Sequence, residues 1–131
     1  MKYLLDTNIC IAILRGKDRE LVSRLRAGTP EDFGLCSLVK AELLYGARKS
    51  QQVEANLLLL ARFIAQFRSL AFDDRCAEVY GVLRVLLEKA GTPIGANDLC
   101  IASIALAHDL TLLTRNRDEF RRVAGLRWEN W

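Results

Sequence analysis

Short apolar runs alternate along this chain with longer amphipathic ones. The short runs predict strands at residues 2–5, 33–36, 69–72, 111–114 and 126–128. Helical periodicity predicts helices at 8–15, 18–27, 37–49, 52–67, 74–90, 96–108 and 117–122. Ser37 and Asp73 stand where caps are expected, Gly28 where a helix stops, and Gly91-Thr92-Pro93-Ile94-Gly95 reads as a loop. Strands that alternate with helices argue for an α/β fold. A first strand apolar on both faces argues for a parallel sheet covered by helices. Helix 96–108 is apolar almost all round and is expected to be buried. Helix 52–67 carries Val53, Leu57, Leu60, Ile64 and Phe67 at heptad-like spacing, which suits core packing or an interface.

Length and composition narrow the class. A chain of 131 residues, 51% hydrophobic and 27% charged, is expected to form one domain over residues 1–131. No apolar run has the ~18 residues of a membrane span. Asp6 interrupts the apolar start too early for a signal peptide, so the expected compartment is the cytoplasm. The four cysteines, Cys10, Cys36, Cys76 and Cys100, form no C-x-x-C pair and read as small buried hydrophobes. At these spacings neither a zinc site nor a disulfide framework is expected. The single histidine, His108, sits where a helix C-terminus favours a cation, and its being alone excludes mechanisms that need a His pair. The formal charge is only +3. Its distribution says more: Arg15, Lys17, Arg19, Arg24 and Arg26 cluster early, and Arg115, Arg117, Arg121, Arg122 and Arg127 cluster late. On one face they would attract phosphates; on separate helices they would be ordinary solvated charge.

The acids carry the chemical argument. Asp6 ends the first strand in "LLDTN", and the late strand ends similarly in "LLTRN". Parallel strands of this kind present their polar ends at one sheet edge, where ligands bind in such folds. Asp6 could equally cap the following helix, a role that Thr7 and Asn8 could also fill. Glu42 shares a helical face with Leu38, Val39, Tyr45 and Gly46, opposite Lys40. A carboxylate on an inward face costs several kcal/mol unless partnered; at the edge of the stripe it would reach water. Asp98 opens the buried helix 96–108, as a first-turn acid favoured by the helix dipole or as part of a pocket; Asn97 or Gly95 could serve as the cap there. Carboxylates gathered together repel unless compensated. Anionic oxygen ligands suit Mg²⁺ or Mn²⁺, and such an ion can activate water against a phosphodiester.

Five segments in order, "LLDTNICI", "SLVKAELLYGA", "PIGANDLCIA", "LLTRNRDEF" and "GLRWENW", cover the chain from end to end. In these the sequence resembles PIN-domain ribonucleases, specifically the VapC-type toxins of bacterial toxin–antitoxin pairs. The resemblance implies a PIN-like central parallel sheet with helices on both sides. It places the acidic cluster on Asp6, Glu42 and Asp98, with Asp6 and Asp98 as principal Mg²⁺ ligands, Glu42 orienting water, and Asn8 and Thr114 in support. Many PIN domains carry a fourth acid where this chain has Asn116. Glu119, one turn on, could supply that carboxylate, with Asp118 the poorer candidate, so one metal and two both remain open. The resemblance also implies a homodimer, a small cognate antitoxin that covers the site in a larger hetero-oligomer, and a structured RNA substrate such as tRNA, initiator tRNA included.

Other classes fit less well. A dehalogenase-type phosphatase needs a second Asp where Asn8 stands. A phospho-receiver needs paired acids after the first strand, whereas Asp73-Asp74 follows another. A non-catalytic nucleic-acid-binding module would keep the basic patches but need no acid cluster.

Overall fold

The structure is a computed structural model that describes residues 1–131. Its five strands are β1 (Tyr3–Leu5), β2 (Phe33–Cys36), β3 (Arg68–Leu70), β4 (Thr111–Leu113) and β5 (Trp128–Glu129). They form one all-parallel sheet in the order β3-β2-β1-β4-β5. The seven helices are α1 (Thr7–Arg15), α2 (Arg19–Ala27), α3 (Ser37–Lys49), α4 (Val53–Ile64), α5 (Asp74–Lys89), α6 (Ala96–Ala107) and α7 (Arg117–Phe120). The strand order reverses direction at β1. With right-handed crossovers, α1 to α4 cover one face and α5 to α7 the other. The packing agrees: α3 lies on α1 and α4, while α5 and α7 lie on α6. This is the expected sheet with helices on both sides.

Local sequence explains most boundaries. Gly16 ends α1 in the left-handed region (φ 67°), its N–H bonded to the carbonyls of Ala12 and Ile13. The Asp18 side chain accepts from the Leu21 N–H at 3.0 Å, and that of Asp73 from the Cys76 N–H at 3.1 Å, so both are side-chain caps. Strands β1, β2 and β4 supply Leu4, Leu5, Leu35, Cys36, Leu112 and Leu113, all fully buried, as strands covered on both faces should be. Helix α6 buries Leu99, Ile101, Ala102, Ser103, Ile104, Ala105 and Ala107, which explains its nearly uniform apolar composition.

Several boundaries differ from expectation. Ser37 does not cap α3. Cys36 holds the cap position, and the Ser37 hydroxyl donates to the Leu70 carbonyl at 3.4 Å. Strand β3 runs over 68–70 rather than 69–72 because β2 offers only Gly34, Leu35 and Cys36 as partners before the chain turns into α3. Strand β5 pairs Trp128 and Glu129 with Leu112 and Leu113, slightly later than 126–128. Helix α4 stops at Ile64, short of 67, where the Gln66 and Phe67 N–H groups tighten the turn by bonding to the carbonyls of Phe63 and Ile64; the Phe67 ring centroid lies 5.0 Å from that of Phe63. The buried row of α3 is Val39, Leu43 and Ala47; Tyr45 is 65% exposed, with the Lys49 ammonium 5.6 Å from its ring centre. Glu42 and Tyr45 therefore share a face that borders the buried row instead of forming it.

Candidate active site

The reversal of strand order puts a crevice beyond the carboxyl ends of β1 and β4, the usual ligand position in such sheets. Asp6 leaves β1 there and Thr114 leaves β4. The Thr114 hydroxyl donates to Asp6 Oδ2 at 2.7 Å and accepts the Asn116 N–H at 2.9 Å. The other Asp6 oxygen accepts the Thr7 N–H at 2.8 Å. Asp6 is thus both a cap and a site residue, and the two readings of this position are compatible. Only 4% of Asp6 is exposed. Burial raises its carboxyl above the ordinary range, opposed by the Thr114 and Thr7 hydrogen bonds and reinforced by the charges of Glu42 and Glu119.

The other acids arrive from different elements. Asp98, in the first turn of α6, accepts from the Asn116 side-chain amide at 3.1 Å. It does not cap: the cap residue is Gly95, and no side chain bonds the helix start. Gly95 closes the loop against both acids; a Cβ added there would lie 3.9 Å from Asp98 Oδ2 and from Glu119 Oε2. Burial first, then the hydrogen bond and charge of Glu119 and the charges of Asp6 and Glu42, push Asp98 up to about 8. The Glu119 carboxyl is held below its ordinary range, first by Asp98 and then by the Gly95 N–H, the Asn116 amide and the charge of Arg122, against the effect of burial. Glu42 enters from α3, and the Asn97 amide donates to its Oε1 at 3.2 Å.

Asp6, Glu42, Asp98 and Glu119 therefore converge, with Thr114 and Asn116 linking them. Asp118 is exposed and takes no part. Asn8 lies exposed in the first turn of α1, next to Thr7, and its side chain makes no hydrogen bond to the four carboxylates. Two contributors are not apparent from the sequence. One is Asn97, which reads there only as a cap. The other is Thr7, whose buried hydroxyl has no partner. Both are polar neighbours of the acids in sequence, the one signal that could have exposed them.

No Lys or Arg forms an ion pair with any of the four carboxylates; the salt bridges are Arg84–Glu88, Arg115–Asp18 and Arg127–Asp109. Glu119 Oε2 is buried without a hydrogen-bond partner. An oxygen-only donor set without an ion-paired Lys or Arg fits a hard divalent cation. The basic segments flank it. Arg115 reaches from the β4 end to Asp18 at the start of α2 and to the Trp131 carbonyl, and Arg24 of α2 stacks 4.3 Å from the Trp131 ring centre. The early and late cationic clusters are therefore joined through the C-terminal tail. Arg127, by contrast, is engaged by Asp109.

This fold and site define a class. The PIN domain family model matches residues 3–126, and the chain belongs to that family, among the VapC-type ribonuclease toxins. It is 41% identical over 132 residues to "Ribonuclease VapC2" of Rickettsia felis, covering 100% of this chain and 98% of that protein. It is 37% identical over 131 residues to "tRNA(fMet)-specific endonuclease VapC" of Shigella flexneri, with the same coverage. Among solved structures, VapBC2 from Rickettsia felis bound to a DNA fragment from its promoter aligns with a TM-score of 0.92 at 38% identity, covering 100% of this chain and 99% of that one. DNA-bound VapBC from Salmonella typhimurium aligns with a TM-score of 0.94 at 36% identity, covering 100% and 98%. Nothing in these matches favours a phosphatase or a non-catalytic binding module.

Proposed function

We propose that this chain is a divalent-metal-dependent endoribonuclease and the toxin of a toxin–antitoxin pair. The observation that carries the reading is the convergence of Asp6, Glu42, Asp98 and Glu119 at the reversal of strand order without a basic partner. Asp6 and Asp98 would hold Mg²⁺, with Mn²⁺ able to substitute, and Glu119 would complete the charge in place of the acid that Asn116 replaces. Bound there, the ion would polarise the scissile phosphate and make water a stronger nucleophile. The protein's own groups do the rest. Thr114 and the Thr7 N–H fix the Asp6 carboxylate, and Asn116 fixes Asp98. Glu42, steadied by Asn97, stands ready to orient water and accept its proton. Hydrolysis of this kind leaves a 5′-phosphate and a 3′-hydroxyl.

The relative from Shigella flexneri is named for tRNA(fMet), and a structured RNA of that kind is the substrate we favour here. The antitoxin reading is supported by an apolar groove of about 450 Å³ between α1, α3 and α4, lined by Ile11, Leu14, Leu43 and Leu59 and bordered by Glu42. An apolar segment seated there could extend a cationic side chain to the acids. Self-association is supported by a second apolar surface, Val82, Val85 and Leu86 on α5, 62%, 49% and 52% exposed. No helix is long and apolar enough to cross a membrane.

The test is brief induction followed by mapping of cellular RNA ends. The reading requires discrete cleavage with 5′-phosphate ends, loss of cleavage by the purified protein in EDTA, growth arrest, and relief of the arrest by a small protein encoded beside it. Ends bearing 2′,3′-cyclic phosphate would overturn the mechanism. Robust growth despite soluble, RNA-cleaving protein would overturn the toxin reading alone.

A further inference from the structure

A second group of metal-ligating side chains lies at the far end of α6 from Asp98. Asp73 caps the start of α5, Cys76 stands three residues on, and His108 follows the end of α6. One ligand atom from each lies within 4.8 Å of the other two. Cys76 is fully buried, Asp73 is exposed, and His108 is half-buried beside a cavity lined by Met1, Arg68, Ser69, Leu70 and Leu110. Asp73 Oδ1 is committed to the Cys76 N–H, which leaves its second oxygen for another partner. The thiol lies 3.9 Å from the Ala71 carbonyl and also faces the Asp73 carboxylate, which accepts from it in the metal-free state.

We infer that Asp73, Cys76 and His108 form a second metal site, selective for a thiophilic divalent cation of the zinc class, distinct from the carboxylate cluster. The donor sets separate the two. One thiolate, one imidazole and one carboxylate suit zinc or cobalt and disfavour Mg²⁺, whereas the cluster at Asp6 and Asp98 offers oxygen only. A tetrahedral zinc holds sulfur at ~2.3 Å and nitrogen or oxygen at ~2.0–2.2 Å, which sets ligand atoms roughly 3.3–3.8 Å apart. Rotation of the two surface side chains toward the buried sulfur would close the difference, with water from the cavity as fourth ligand. Burial pushes the free Cys76 thiol above its ordinary range. On binding, the thiol proton leaves to solvent and the thiolate takes its place on the metal. The site would tie the start of α5 to the end of α6, the two most extensively packed helices. Linear spacing conceals it, because His108 comes from a different helix end.

Co²⁺ titration of the reduced full-length protein tests this, with excess Mg²⁺ present throughout to occupy the carboxylate cluster. Sulfur-to-cobalt absorption in the near ultraviolet is expected to rise to a single equivalent and to be bleached by Zn²⁺. A carboxylate site cannot produce that band, so the result is independent of the nuclease reading. Cys76→Ser and His108→Gln should abolish the band, and Asp73→Asn, which keeps the cap, should weaken binding at least tenfold. Cys100→Ser should leave the band intact. If Cys76→Ser does not fold, the two surface variants carry the test. Absence of the band, its loss in Cys100→Ser, or its persistence in His108→Gln would overturn the inference.

Discussion

Replacing Asp98 by asparagine separates a metal site from a helix-dipole acid by the sign of its effect on stability. Asp98 is pushed up to about 8, first by burial and then by Glu119. Two unit charges 4 Å apart at an effective dielectric near 20 repel by about 4 kcal/mol. The pair is partly open to water and protonation of Asp98 relieves it further, which leaves about 1–2 kcal/mol of penalty in the metal-free fold. The introduced amide would still accept from Asn116 through its oxygen and could donate to Glu119 through its nitrogen. In EDTA at pH 8 the variant should therefore melt a few degrees higher than its parent. The pH dependence has a definite sign. A carboxyl raised in the folded state retains a proton that the unfolded chain loses, so the parent loses stability as pH rises from about 4 to about 8. The advantage of Asp98→Asn should be absent near pH 4 and complete near pH 8. Mg²⁺ at ~100 times its Kd would stabilise the parent by about 2.7 kcal/mol and the variant much less, which reverses the order. Differential scanning fluorimetry of both proteins, in EDTA and in Mg²⁺, at both pH values, reads all of this. A variant less stable by roughly 0.3–1 kcal/mol under every condition would mean that Asp98 only complements the helix dipole, and the metal site would be lost with it.

Glu119→Gln should lower RNA cleavage by roughly 10–100-fold, while Asp118→Asn, at an exposed neighbour outside the cluster, should leave it unchanged; equal effects in a cleavage assay would remove Glu119 from the site. Thr114→Val strips a hydroxyl that bonds both Asp6 and the Asn116 N–H. It should cost about 2–3 kcal/mol in urea unfolding, with Thr114→Ser much milder; a loss below roughly 0.5 kcal/mol would show that the network carries little. Leu59→Glu places a charge in the groove at a position 58% exposed. It should keep cleavage and growth arrest but lose rescue by the antitoxin, and undiminished rescue would move the docking surface elsewhere.

Periodicity alone determined the α/β class, the strand and helix order and the burial of α6, because burial on both faces of a strand and all round a helix is written directly into composition. It also singled out Asp6, Glu42 and Asp98, since an ionised group beside an apolar run is costly wherever the chain folds. Boundaries that depend on a partner were not legible. Strand β3 ends where β2 runs out of residues, and Ser37 turns to the Leu70 carbonyl because β3 lies beside it. The mutual positions of the acids were likewise decided only in three dimensions. The preference for Glu119 over Asp118 was already legible, but its approach to Asp98 follows from the docking of α7 on α6. Cys76, His108 and Asp73 show the same limit most clearly. Each has an ordinary local role as core residue, helix end or cap, and only the packing of α5 on α6 brings their donor atoms together. Local burial preferences are properties of short segments and survive in the sequence, whereas distances between elements depend on how every other element packs.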